Sequence, residues 1–508
     1  MSGKDFIEVL SHRCAGLLRI AISINRCDDP STCFTRSLLG EMLYEASSVE
    51  ELLDACGARR NLKWGPFRQA VAATKLFSHV AYVLLHIKLF YPSYKLLPIG
   101  DDFESATDEV FAFTRRTLTG IAGCILSEAT DLGMTLPDLE SSFCAPDDEV
   151  PTGALPANKP STKEASAEKT VVYLATAFLN LAEDSKFLRV TPGLNEDFGR
   201  FIPEPINEER LRNTEEKFHN LQARYDTYVS DTNLELLDEN LSVLRGHISV
   251  IYHLLQTATA FTHYIERHIY YSDSEPFPEA QKCLNEKELL AALGEYSINF
   301  VVRYIALARD LCREMLKKYA VRGEIKVPAP RYRGFHVRPS TMIAKIANHY
   351  GSDVEMQLNG DAYDASVALE LFRANEKLNA KKRRALAADI GAILAENVAG
   401  DLDDYHEFIR NVARLLFENK KIVLYERAPI VDSDIVPAEE ETPIQFAVRA
   451  FYRLFTMGKI DVELNATVTF RGDMRVLDDI RLLAENGYGE DDFGNNLPLP
   501  PELRYLRT

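Results

Sequence analysis

Apolar positions recur at intervals of three and four residues through the first two-thirds of the chain. Phe6, Val9, Leu10, Leu17 and Leu18 form one series, and Leu38, Leu39, Leu43, Leu52 and Leu53 another. That spacing gathers apolar side chains on one helix face and predicts an all-α region over residues 1–135. Asp101 stands where it can cap a helix running through Val110, Phe111, Phe113, Leu118 and Ile121. Over 136–169 the periodicity stops. This stretch is rich in Pro, Ser, Ala and charge and holds few large apolar residues, so it cannot bury enough surface to offset its ordering entropy. It reads as a linker or long loop. Helical spacing then resumes and predicts helices from about Asn207 to Val229, Asn233 to Tyr271 and Glu286 to Ala320. A helix from 233 to 271 would be about 57 Å long unless Gly246 bends it. Long helices with short connections predict an antiparallel bundle over 170–322, compatible with a single domain shared with 1–135.

Beyond residue 322 the pattern is α+β. Glu324-Ile-Lys-Val-Pro-Ala-Pro suits a short strand, His336 to Tyr350 a helix, and Asp353-Val-Glu-Met-Gln-Leu an alternating strand. Asn359-Gly360 predicts a hairpin, because both residues accept positive φ. A return strand and a helix beginning near Asp364 follow, then an inserted charged helical stretch over about 380–419. Lys421-Ile-Val-Leu-Tyr-Glu reads as strand-like, Ile444 to Met457 as helical and Ile460 to Phe470 as strand-like.

Composition narrows the functional classes. The chain has 508 residues, 46% hydrophobic and 26% charged, the balance of an ordinary soluble globular protein with several cores. Its net charge of −18 argues against a nucleic-acid partner held by bulk electrostatics. No apolar run reaches the roughly 18 residues of a membrane span, since His79 and His86 interrupt Leu76 to Ile87. The N-terminus shows no basic segment followed by an apolar one. None of the eight cysteines forms a Cys-x-x-Cys pair. The closest two, Cys27 and Cys33, are expected to be small hydrophobes or surface thiols. Together these features predict a cytoplasmic, reduced and soluble protein.

The informative motif is Gly334-Phe335-His336-Val337-Arg338-Pro339-Ser340. A strand leads into a glycine, and the histidine falls where a helix starts. Pro339 suits the first turn, where its missing N–H costs no intrahelical bond. His336 then sits beside unpaired backbone N–H groups and the positive end of the helix dipole, an environment that favours a phosphoryl group on an imidazole nitrogen. Arg338 adds a planar, permanent charge that engages phosphate oxygens in pairs.

Residues 331 to about 372 resemble HPr, the small histidine phosphocarrier of the bacterial phosphoenolpyruvate-dependent phosphotransferase system. The likeness rests on the Gly-x-His-x-Arg-Pro core, the helix after Ser340, the strand Asp353 to Leu358, the Asn359-Gly360 turn and the helix near Asp364. It implies an open-faced β-sandwich with helices on one face of an antiparallel sheet, which Ile422–Tyr425 and Ile444–Met457 could complete. It also implies His336 as the phosphorylated residue, with Val337, Arg338 and Ser340 around the phosphate. Phe335 and Val337 are bulkier than the family's usual neighbours of the histidine. The family's regulatory serine aligns with Val367, and Ser366 lies one position off. The whole chain then reads as a multidomain protein, an all-α region fused to an HPr-like α+β domain with inserted helices.

This resemblance implies a phosphocarrier or phosphorylation-dependent regulator whose partners would be phosphoryl donor and acceptor proteins of that system. No cofactor is implied, and a carrier does not by itself turn over a small substrate, so enzyme status stays open. A scaffold whose HPr-like domain only binds protein partners is the alternative. Elsewhere, Glu216 and His219 make one Glu/His pair, whereas a dinuclear carboxylate site wants two. His247, His253, His263, Glu266 and His268 follow on the next long helix. His247 and His253 are six apart and His263 and His268 five apart, so neither pair shares one face well and no metal is expected. Lys381-Lys382-Arg383-Arg384 reads as a solvated helix face. The aromatics from Tyr252 to Tyr271 read as bundle core, and Asp401, Asp403 and Asp404 as a cap or loop.

Overall fold

The computed structural model describes residues 3–27, 33–138, 167–189, 198–230, 232–270, 284–331, 333–397, 404–425, 435–463, 465–491 and 495–507. It divides into two units, Met1–Met315 and Leu316–Thr508. Residues 139–166, the bulk of the predicted linker, lie outside the described residues.

The first unit is helical. Its longer helices include Gly3–Arg13, Ala15–Arg26, Arg36–Ala55, Gly65–Phe90, Phe103–Asp131, Ala167–Asp184, Glu208–Tyr228 and Asn240–Tyr264. Phe67, Phe77, Phe178, Phe218 and Phe261 are fully buried among them. Polar side chains close the helix starts. Thr35, Asp102 and Asn207 each accept a backbone N–H that has no partner a turn earlier. The cap of Phe103–Asp131 is therefore Asp102, while Asp101 pairs with Arg303. The long helix expected over 233–271 is divided. A single turn, Leu234–Leu237, precedes Asn240–Tyr264, and the chain continues as a π-turn over Ile265–Tyr270. Gly246 does not interrupt it. A Cβ there would lie 3.3 Å from the Lys95 backbone, so the glycine permits close packing of Tyr94–Leu96.

Two helical stretches, Gly65–Ser93 and Glu286–Lys318, are long and apolar enough to cross a membrane by length and composition. Most of each is buried. Cys27 and Cys33, expected as separate residues, are joined as a disulfide.

The histidines singled out above serve packing. His219 stacks on Tyr252, His247 meets the edge of Tyr304, and His268 stacks on Tyr264. His263 faces Glu208 through Nδ1 at 2.9 Å, and Glu266 accepts the Glu208 N–H. Glu216 is exposed. No group of three or more His, Cys, Asp or Glu among the described residues is placed to hold a metal ion. Burial, then the neighbouring His86, holds His253 down at about 4, and burial, then Arg68, does the same to His268. Both values lie below that of an unfolded-state imidazole, so the unfolded chain takes up protons first as pH falls. The stability contributed by each neutral ring is complete above about pH 6.5. It is lost on going down to about pH 4, by at most about 1.4 kcal/mol per pH unit for each ring. Denaturation midpoints between pH 7 and pH 4.5 should fall accordingly, and less steeply in a His253→Gln variant.

The second unit contains β1 (Arg322–Pro328), α1 (Val337–Tyr350), β2 (Glu355–Leu358), β3 (Asp361–Asp364), α2 (Ala368–Asn397), α3 (Tyr405–Glu418), β4 (Val423–Leu424), α4 (Pro443–Thr456), β5 (Ile460–Asp461), β6 (Thr467–Asp473) and α5 (Met474–Glu485). Four strands form an antiparallel sheet in the order β1-β6-β2-β3. Strand alternation buries Ile325, Val327, Met356, Leu358, Val468 and Phe470 and leaves Glu324, Lys326, Glu355 and Arg471 outside. Glu324 and Arg471 are direct cross-strand partners and form an ion pair. Asn359 and Gly360 both have positive φ and make the two-residue β2–β3 hairpin.

The elements that complete this sheet are not those expected. Strand β6, followed at once by α5, occupies the place anticipated for Ile422–Tyr425 and Ile444–Met457. Seven alternating residues let β6 pair with β1 on one side and β2 on the other. Val423–Leu424 instead pairs with Ile460–Asp461 in a separate two-stranded ribbon. The helix from near Asp364 and the start of the expected insertion are one 30-residue helix, α2. Its far half packs with α3, α4 and the ribbon around a second core that includes Leu386, Ile390, Ile409, Leu416, Phe446, Phe451 and Leu454. Asp404 caps α3. Asp401 and Asp403 lie outside the described residues.

Candidate functional site

The loop between β1 and α1 carries the candidate chemistry. Arg333 and Gly334 both adopt left-handed backbone, with φ of 54° and 58°. Such a conformation costs an ordinary residue about 1–2 kcal/mol and persists only where the surroundings hold it. Three groups do so here. Asn375 of α2 donates to the Arg333 carbonyl at 3.1 Å, and the Arg333 N–H donates to Asp461 of β5. Asp461 is itself clamped by Lys382 of α2, whose Nζ lies 2.9 Å from both carboxylate oxygens and 3.5 Å from the Arg331 carbonyl. Gly334 is required sterically as well, since a Cβ there would come within 2.1 Å of Asn375 Oδ1.

Lys382 therefore corrects the reading of the basic run. It is 1% exposed, and burial holds its pKa below the usual lysine value against the pull of Asp461. Lys381 is exposed and reaches Asn359.

The loop delivers His336 to the N-cap of α1, in extended conformation. Val337 and Arg338 are the first two helical residues, so their N–H groups have no carbonyl a turn back to bond. The His336 side chain is 24% exposed, and Val337 projects into solvent. Ser340 differs from expectation. Its hydroxyl is fully buried and donates to the Phe335 carbonyl at 2.8 Å, so it stabilises the turn and has no free contact to offer a phosphate. Phe335 is buried edge-on against Tyr488, which accounts for the bulk before the histidine. Ser366 lies at the start of α2 and donates to Asp364 at 2.6 Å, so a phosphate there would meet a carboxylate.

A segment the sequence did not point to completes the site. Glu490 places its carboxylate 3.1 Å from His336 Nε2, and its Oε1 lies 3.9 Å from Arg338 Nε. The Arg338 guanidinium also donates to Asn496. His336 Nδ1 lies 3.1 Å from the Gly334 carbonyl. Both ring nitrogens thus face acceptors, an arrangement that a neutral ring, with one N–H, satisfies on one side only. Glu490 and Asn496 are antiparallel bridge partners, which no local spacing in the sequence announces.

Comparison with protein families, curated proteins and solved structures finds no match to this chain.

Removing Lys382 leaves a buried, uncompensated carboxylate, which typically costs about 3–5 kcal/mol. Lys382→Met should therefore lower stability by that order in chemical denaturation. A Lys382→Met/Asp461→Asn double variant should lose distinctly less than the sum of the two single changes.

Proposed function

We propose that the second unit is an HPr-like module and that His336 accepts a phosphoryl group from a donor protein, then passes it on or holds it as a signal. In this step an imidazole lone pair forms the N–P bond while the donor's bond to phosphorus breaks and its electron pair leaves with the donor. The backbone N–H groups of Val337 and Arg338 and the Arg338 guanidinium are the groups suited to hold the phosphoryl oxygens. The observation that carries this reading is the placement of a solvent-reached imidazole at the N-cap of α1, two residues before an arginine. An antiparallel sheet with one apolar face and a polar one is also what the resemblance implies.

One observation favours the scaffold reading. Arg338 is engaged by Asn496 and lies beside Glu490, as it would be in a docking module that no longer transfers phosphate. The test is incubation with phosphoenolpyruvate and the general phosphoryl-donor enzyme of the phosphotransferase system. An acid-labile, alkali-stable phosphate should form on the protein and be absent from His336→Ala. Equal labelling of that variant shows that the phosphate sits on another residue and overturns the assignment of His336, whereas no labelling at all supports the scaffold.

A further inference from the structure

We infer that the helical unit holds a binding site for a small organic carboxylate, in a cavity between the helices Gly65–Phe90 and Asn240–Tyr264. Every residue of the site belongs to the first unit, so the inference stands apart from the phosphocarrier reading. The cavity measures about 390 Å³, within the range of small-molecule sites. Its cause is legible in the two helices. Ala72, Leu76 and His79 lie four and three residues apart on one face of Gly65–Phe90. Gln256, Ala260 and His263 repeat that spacing on Asn240–Tyr264. Alanine at 72 and 260 leaves a void, where packed interiors tolerate few spaces larger than a water molecule. Helix Arg36–Ala55 lines it with Leu43, and helix Glu208–Tyr228 with Arg212 and Glu215.

The polar groups on the wall select the charge of the occupant. Two cations, Lys75 and Arg212, line the cavity and reach solvent. Glu50 is already taken up by Lys75 at 2.8 Å and Arg68 at 2.9 Å. Glu208 is divided between Arg212 at 2.7 Å and Arg267 at 3.7 Å, so one carboxylate answers two guanidiniums. His79 and His268, both half-buried, make no hydrogen bond among the described residues and keep a donor and an acceptor to offer. The charges acting on these rings are positive. After burial, Arg212 lowers the pKa of His79, and Arg68, His263 and Arg59 lower that of His268. An anion meets here a local field opposite to the chain's net charge of −18. Glu215 is the opposing group. It has no ion-pair partner among the described residues, but burial raises its pKa against the pull of Thr259 and Arg212, so it takes its charge reluctantly. Leu43, Leu76 and Ala72 supply apolar surface, which suits a carboxylate on a hydrocarbon body better than an inorganic anion.

Three probes of one shape and different charge, hexanoate, hexanamide and hexylammonium, test the site in ligand-observed NMR titrations of the full-length protein. Hexanoate should bind about tenfold or more tightly than either of the others. Arg212→Gln, a change at an exposed position, should weaken hexanoate by about tenfold and leave hexanamide nearly unchanged, whereas Glu215→Gln should tighten hexanoate. Ala260→Leu, which fills the cavity, should abolish binding of all three. No binding of hexanoate at millimolar concentration, equal affinity for the three probes, or a preference for hexylammonium overturns the inference. So does hexanoate binding that survives both Arg212→Gln and Ala260→Leu, because the probe then sits elsewhere. If Ala260→Leu does not fold, the two charge variants decide. Opposite shifts uphold the site, and hexanoate affinity unchanged in both removes it.

Discussion

Lys382 and Asp461 face each other with almost no access to solvent, and the backbone N–H groups of Arg333 and Val462 complete the shell around the carboxylate. The gain from such a pair over an apolar one is small or negative, because both charges have been stripped of water. Its effect is on geometry. It pins the Arg333–Gly334 turn in a backbone conformation that the chain would otherwise avoid, and the turn sets where His336 meets α1. Helix α2 supplies both Lys382 and Asn375, and β5 supplies Asp461. Helix α2 and strand β5 are therefore part of the device that presents the histidine, and the core of Phe446, Phe451 and Leu454 on which they pack gives that device a rigid base.

What could be read in advance was local. The Asn359-Gly360 hairpin, the start of α1 at a histidine and the alternation of β2 each depend on neighbours within a few residues. Failures came where a segment's fate is decided at a distance. Ile460 to Phe470 looked like one strand, yet Asp461 is drawn to Lys382 79 residues away, and the chain joins two different sheets. Lys382 was indistinguishable from its three basic neighbours, because a heptad-like helix can turn any one of them inward. Val423–Leu424 was apolar and β-branched enough for the main sheet, but it is only two residues long there and cannot pair on both sides.

The candidate site divides in the same way. His336, Val337 and Arg338 follow from a seven-residue motif, and their placement at a helix start is a local matter. Ser340 belonged to the motif too, but its hydroxyl is consumed by the turn that the motif builds. Glu490 lies 154 residues beyond the histidine it touches. The one hint in the sequence was the Gly487-Tyr488-Gly489 step after α5, where three successive residues adopt positive φ and reverse the chain toward α1.

The outer strands of the four-stranded sheet have a bearing on how the molecule behaves in company. β3 is four residues long and bears Asp361 and Asp364 at its ends, and the opposite border, β1, carries Lys326 and finishes in Pro328. Unpaired peptide groups along a sheet margin invite another chain to add on, and brevity, fixed charge and a missing N–H each discourage it. Self-association by strand addition is thereby discouraged at both margins, and any meeting with another macromolecule through this sheet would have to use side chains.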